Sequence, residues 1–214
     1  MKRLPSRPHD PAKSSSDSTP NRYKDVSGVI LAGGKSSRYG RNKAFVQYGG
    51  IALIERVTGV LSGLFENLFL ITNSPDEYAY LDIPMKRDII KGLGPLGGIY
   101  TALQTIPTPY GFFVASDMPF LNSALISYMI DQREEYDVVA PKIDWKIEAL
   151  HALYKKTCLP EVDRLIRHHQ YQAIRFFDRV SVRYVGEEEV RGFDPSLLSF
   201  LNINCPEDLK EIER

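Results

Sequence analysis

Apolar residues fall into two spacings along the chain, and the two alternate. Residues 26–31 have the length and apolar content of a strand, whereas residues 52–64 carry Leu53, Val57, Val60 and Leu61 at helical intervals. Residues 68–72 read as a strand again. A glycine-rich turn at 92–98 leads into a helix through Gln104, and residues 112–115 form the next strand. Asn122 stands where a side chain would cap a helix over 123–133, and 137–140 returns to strand character. Strands that alternate with helices imply right-handed crossovers and a mainly parallel sheet. The second half is less regular: a strand at 149–154, a helix at 159–169, a strand at 180–185, and a closing helix entered through Asn204-Cys205-Pro206-Glu207-Asp208. No internal repeat interrupts this order. The pattern predicts one three-layer α/β domain over residues 25–214.

Composition narrows the function classes. A chain of 214 residues, 43% hydrophobic, suits one domain with a buried core. Its 27 Lys and Arg balance its 27 Asp and Glu, so net charge gives no argument for a nucleic-acid partner. The longest apolar runs, such as Leu68-Phe69-Leu70-Ile71, fall far short of the roughly 20 residues that cross a bilayer. A soluble, cytoplasmic protein with no membrane partner is expected. Cys158 and Cys205 stand far apart, which argues against a disulfide framework, a zinc cage or an iron–sulfur cluster. Residues 1–24 hold five Ser and four Pro among few apolar residues, and carry a net charge of +4. That composition predicts an unstructured tail, and leaves the remaining body mildly acidic.

In an open parallel sheet, ligands gather at the carboxyl ends of the strands. After the first strand comes Ala32-Gly33-Gly34-Lys35-Ser36-Ser37-Arg38-Tyr39-Gly40-Arg41-Asn42-Lys43. Paired glycines let backbone N–H groups line a concavity suited to phosphate oxygens, and four basic side chains surround it. The spacing is neither a Walker A loop nor Gly-x-Gly-x-x-Gly, and by composition alone an ordinary solvated loop remains open. Asp117 closes the strand at 112–115 on the same rim, where a carboxylate can hold Mg²⁺ against triphosphate oxygens. An Asp two residues before Pro119 is also a common turn cap. Gly92-Leu93-Gly94-Pro95-Leu96-Gly97 matches a dinucleotide-binding spacing, but Pro95 lacks an N–H donor and no strong strand precedes it. His168 and His169 diverge by about 100° on a helix and form no ligand pair. His151 is either a cleft residue or a buried one, and Glu187-Glu188-Glu189 reads as a solvated turn.

The ordered strings carry a resemblance. Leu31 through Lys43 is similar to the signature of nucleotidyltransferases that join a nucleoside triphosphate to an acceptor phosphate. Gly94-Pro95-Leu96-Gly97-Gly98, Ser116-Asp117-Met118-Pro119-Phe120-Leu121, Leu150-His151-Ala152-Leu153-Tyr154 and Asn202-Ile203-Asn204-Cys205-Pro206-Glu207-Asp208 resemble segments of the molybdenum cofactor guanylyltransferases, the MobA-like NTP transferases. Tyr39 stands where that family usually has Met or Leu. The resemblance implies a Rossmann-like nucleotidyltransferase fold whose mainly parallel sheet is mixed. It also implies transfer of GMP from Mg·GTP to the terminal phosphate of molybdopterin or molybdenum cofactor, with release of pyrophosphate. Arg38 and Lys43 would then hold the β- and γ-phosphates, and Asp117 would bind the α-phosphate through Mg²⁺. Leu31, Ala32, Gly33 and Gly34 would seat base and ribose, Gly94 and Gly98 would lie against the base, and Asn73 and Asp88 would complete the guanosine pocket. Asn202 and Asn204 are candidates for the pterin side. Molybdenum-insertion proteins or acceptor apoenzymes are the implied protein partners. A related enzyme using CTP or another phosphorylated acceptor stays open, as does a non-catalytic nucleotide-binding relative.

Overall fold

The computed structural model describes residues 22–33, 42–204 and 208. Nearly all of the expected tail, the loop at 34–41 and most of the closing helix lie outside the described residues; Asp208 is helical. The chain enters on strand β1 (Tyr23–Ala32), which starts before the expected residue 26 and takes in two residues assigned by composition to the tail. A 3-10 turn at Lys43–Phe45 precedes a hairpin of β2 (Gln47–Tyr48) and β3 (Ile51–Ala52). Its turn is Gly49-Gly50, both at positive φ (57° and 78°), a conformation that side chains resist.

Helix α1 (Leu53–Leu64) opens with the Glu55 carboxylate accepting the Ala52 N–H at 2.9 Å, and buries Leu53, Ile54, Val57 and Leu61. Then follow β4 (Phe65–Thr72), α2 (Pro75–Tyr78), β5 (Met85–Lys86), α3 (Pro95–Thr105) and β6 (Tyr110–Ala115). Helix α4 (Ser123–Asp131) is capped by Asn122, whose Oδ1 accepts the Leu125 N–H at 3.0 Å. The remaining elements are β7 (Val138–Ile143), β8 (Lys146–Ile147), β9 (His151–Lys155), α5 (Leu159–Arg167), β10 (Val182–Gly186) and α6 (Glu187–Arg191).

Among the described residues the sheet runs in the order β10-β7-β9-β6-β1-β4-β5, with β8 added to β7. β1 is parallel to both β4 and β6, whereas β9 is antiparallel to β6 and β7. The sheet is therefore mixed and mostly parallel, with helices on both faces. Alternation along the strands explains the layers: Ile30, Phe112 and Val114 belong to the core shared with α1 and α4, while Val29, Leu31 and Phe113 belong to the core shared with α3 and α5. In register, Leu31 sits between Ile71 and Ala115. Chain leaving β1, β4 and β6 thus emerges side by side at one edge.

Glu187-Glu188-Glu189 is the first turn of α6 and not a loose solvated turn. Acidic side chains favour that position beside the partial positive charge of a helix start. Glu189 also accepts the Tyr128 hydroxyl at 2.6 Å and pairs with the Arg183 guanidinium. Among the described residues no helix is long and apolar enough to cross a membrane.

Candidate active site

Asp117 follows β6, and its turn is tied on two sides. The Ser116 N–H donates to the Leu31 carbonyl at 3.1 Å, and the Ile203 N–H donates to the Asp117 carbonyl at 2.9 Å. Met118 and Leu121 are buried below and anchor the turn, as the apolar string after Asp117 predicts. Burial pushes the Asp117 carboxyl above its ordinary value; its own backbone N–H and the Lys43 ammonium pull in the opposite direction. Lys43 and Asp117, 74 positions apart, share one rim.

The 3-10 turn that carries Lys43 is held by Asn42. Its Oδ1 accepts the Ala44 N–H at 3.2 Å, and its Nδ2 donates to Glu77 Oε2 at 2.8 Å and to the Tyr78 hydroxyl at 2.7 Å. Burial pushes the Tyr78 phenol up to about 12, so it stays neutral beside this amide. Lys43 Nζ donates to Asn204 Oδ1 at 2.6 Å. The C-terminal segment thus meets both charged residues, through Asn204 at Lys43 and through Ile203 at Asp117.

Beside Asp117 lies a cavity of about 340 Å³, lined by Leu31, Gly33, Pro95, Lys146, Glu148 and Asn202 among others. The Asn202 amide oxygen is buried there without a hydrogen-bond partner among the described residues. A buried amide oxygen in that condition is costly unless something accepts its lone pairs. Together with the Asp117 carboxylate it offers hard oxygen donors, a set that fits Mg²⁺ completed by substrate phosphates and water. No cluster of three or more His, Cys, Asp or Glu able to hold a metal occurs among the described residues.

The other predicted residues divide. Leu31, Ala32 and Gly33 end β1 at the rim, while Gly34 and Arg38 lie outside the described residues. Asn73 and Asp88 come together at the adjoining end of β4: Asn73 Nδ2 donates to Asp88 Oδ2 at 2.7 Å, and the Asp88 N–H returns to Asn73 Oδ1 at 3.3 Å. Gly94 is exposed at the start of α3 with φ 59° and ψ −145°, a region open essentially to glycine alone. Gly98 is buried, and a Cβ there would come within 3.0 Å of Leu31 Cδ2, so it lets α3 close onto β1. Asn202 and Asn204, expected on the pterin side, stand beside the Asp117–Lys43 pair. His151 is fully buried between Phe112 and Phe200, and neither ring nitrogen has a hydrogen-bond partner among the described residues; it does not face the cleft.

Lys146 and Glu148 line the cavity and are paired at 2.7 Å, yet no motif marks them. They reach the site through the β7–β8 hairpin; the only signal in the sequence is Asp144-Trp145, a short turn between strand-like residues.

Residues 28–183 match the family described as MobA-like NTP transferase domain. The chain is 38% identical over 184 residues to a protein of Pelotomaculum thermopropionicum named "Probable molybdenum cofactor guanylyltransferase", covering 86% of this chain and 90% of that one. It is 34% identical over 190 residues to the molybdenum cofactor guanylyltransferase of Desulfosudis oleivorans, covering 88% and 94% respectively. Among solved structures, it is similar to the molybdopterin-guanine dinucleotide biosynthesis protein A of Archaeoglobus fulgidus, with TM-score 0.75, 29% identity and coverage of 87% of this chain and 96% of that one.

Proposed function

Because the chain belongs to the MobA-like NTP transferase family and is a nucleotidyltransferase, we propose that it transfers GMP from GTP to the terminal phosphate of molybdopterin or its molybdenum-loaded form. An oxygen of the acceptor phosphate attacks the α-phosphorus of GTP, a new P–O bond forms, and the bond to the β-phosphate breaks. Pyrophosphate carries away the electron pair. The acceptor phosphate is already a nucleophile at neutral pH, so the reaction needs alignment and charge stabilisation and no covalent enzyme intermediate.

The observation that carries this reading is that the Lys43 ammonium acts on the Asp117 carboxylate, which lines a cavity together with Asn202. Lys43 stabilises charge on the departing β- and γ-phosphates, with Arg38 as its companion. Asp117 and the Asn202 amide oxygen would hold Mg²⁺, which when bound neutralises triphosphate charge. Asn204 keeps Lys43 oriented, and the ends of β1 and β4 with the start of α3 receive the nucleoside. Support for guanine over other bases comes from the relatives' names.

Pyrophosphate release measured with each of the four triphosphates, with molybdopterin present, tests the proposal. GTP-dependent release is expected. Asp117→Ala should lower turnover about 100- to 1000-fold in a folded protein, the loss typical of a charge-stabilising contact in a transition state. Near-normal transfer by that variant overturns the metal-holding role. Release with CTP alone indicates the sister reaction, and no release with any triphosphate indicates a binding relative.

A further inference from the structure

A second, larger cavity adjoins the first. It measures about 780 Å³, within the range of small-molecule sites, and is walled mainly by apolar side chains such as Ile147, Ile174, Leu197 and Leu201. At its mouth stands Trp145. The β7–β8 hairpin pairs Ile143 with Lys146, leaving Asp144 at φ 51° and Trp145 as a two-residue turn, and the indole is 92% exposed. An aromatic side chain held in solvent by a tight turn, at the lip of an apolar cavity, is poised to cover something flat.

The two cavities share Lys146, Ile147 and Glu148. Glu148 is nearly buried, and its carboxylate holds the Lys146 ammonium at 2.7 Å, while the lysine side chain is 68% exposed. An exposed cation therefore stands where the two cavities adjoin. A nucleotidyl transfer must hold two substrates with the acceptor phosphate close to the α-phosphate, and Asp117 lines the smaller cavity and not the larger one.

Resting on the function proposed above, we infer that the larger cavity seats the acceptor's fused-ring heterocycle, with Trp145 stacked on its face and Lys146 turning from Glu148 to receive its terminal phosphate. Trp145 and Lys146 are then acceptor-binding residues, Trp145 lining the larger cavity alone and Lys146 bordering both.

Trp145 is the chain's single tryptophan, so its fluorescence reads this site without turnover. Titration with neopterin monophosphate, in the absence of GTP, is expected to quench it saturably, and Lys146→Ala should weaken that binding about tenfold. In steady-state assays Trp145→Ala should raise the KM for molybdopterin about tenfold, while the KM for GTP stays within about twofold. Trp145→Phe should restore most of the acceptor affinity, which a purely structural role would not predict for so exposed a side chain. If the wild-type protein transfers GMP but Trp145→Ala and Lys146→Ala leave the acceptor KM unchanged, the inferred seat is overturned and the proposed reaction stands. If no triphosphate supports transfer but the pterin phosphate quenches Trp145, the reaction fails and the seat stands. Absence of quenching overturns the seat.

Discussion

A histidine with two ring nitrogens and no partner for either is an expensive thing to bury. Desolvation lowers His151 to about 3, with the Asp194 carboxylate pulling weakly the other way. The folded state therefore refuses a proton that the unfolded chain accepts near its ordinary value of 6.5. Stability associated with this group is complete above that value and falls as the pH drops from it towards about 3, by about 1.4 kcal/mol per pH unit. His151→Leu removes the effect. Denaturant unfolding at pH 6.5 and 5 should show the wild-type protein losing about 1.6 kcal/mol more than the variant between the two conditions; equal losses would contradict the assignment. Single residues also mark where the sequence was readable. Asp117 and Lys43 stand out because each follows a strand end within an ordered string. Lys146 and Glu148 do not, because pairing with β7 brings them to the cavity and no local spacing records that. Asn42 sat inside a recognisable string, yet its contacts with Glu77 and Tyr78 depend on a helical turn that the apolar pattern did not mark.

At the scale of elements, the long periodic segments were the legible ones. α1, α4 and α5 follow their helical spacing to within two residues at each end, since an amphipathic face needs its full length to bury. The pieces that escaped are short: β2, β3, β5 and β8 have two residues each, too few for any period to declare itself. Another short piece carries a site residue. The 3-10 turn at Lys43–Phe45 makes few hydrogen bonds of its own and borrows rigidity from Asn42 and, through the Phe45–Tyr78 ring contact at 4.9 Å, from α2. Asn42→Ala should therefore cost about 1 kcal/mol of stability, the usual loss for a helix-cap residue. It should also lower turnover about tenfold, a loss of about 1.4 kcal/mol in transition-state stabilisation, as Lys43 loses its fixed direction. Circular dichroism unchanged beside an unchanged turnover would show that the turn holds its shape without this amide.

At the scale of the molecule, two cores on opposite faces of one sheet make the fold a single cooperative object. Cys158 reports on it. The thiol lies in the core at the start of α5 with its Sγ 3.4 Å from the Asp137 carbonyl, and burial with the nearby Asp137 charge pushes it up to about 12. The reactive thiolate is thus suppressed in the native state. Alkylation at Cys158, followed by mass spectrometry across a denaturant series, should track global unfolding; rapid labelling of native protein would reveal a local opening. The mixed character of the sheet was the whole-molecule feature least accessible from pattern, because strand direction depends on partners distant in the chain.

That direction has a consequence for synthesis. β9 lies between β6 and β7, so β7 and β10 join the sheet only through a strand made later than β7. A ribosome moving at the usual rate takes about 2–8 s to advance from Ala115 to Lys155. For a like interval after β6 leaves the ribosome, its margin away from β1 is exposed before β9 follows, and codon speed or chaperone attendance over this stretch bears directly on the yield of folded protein.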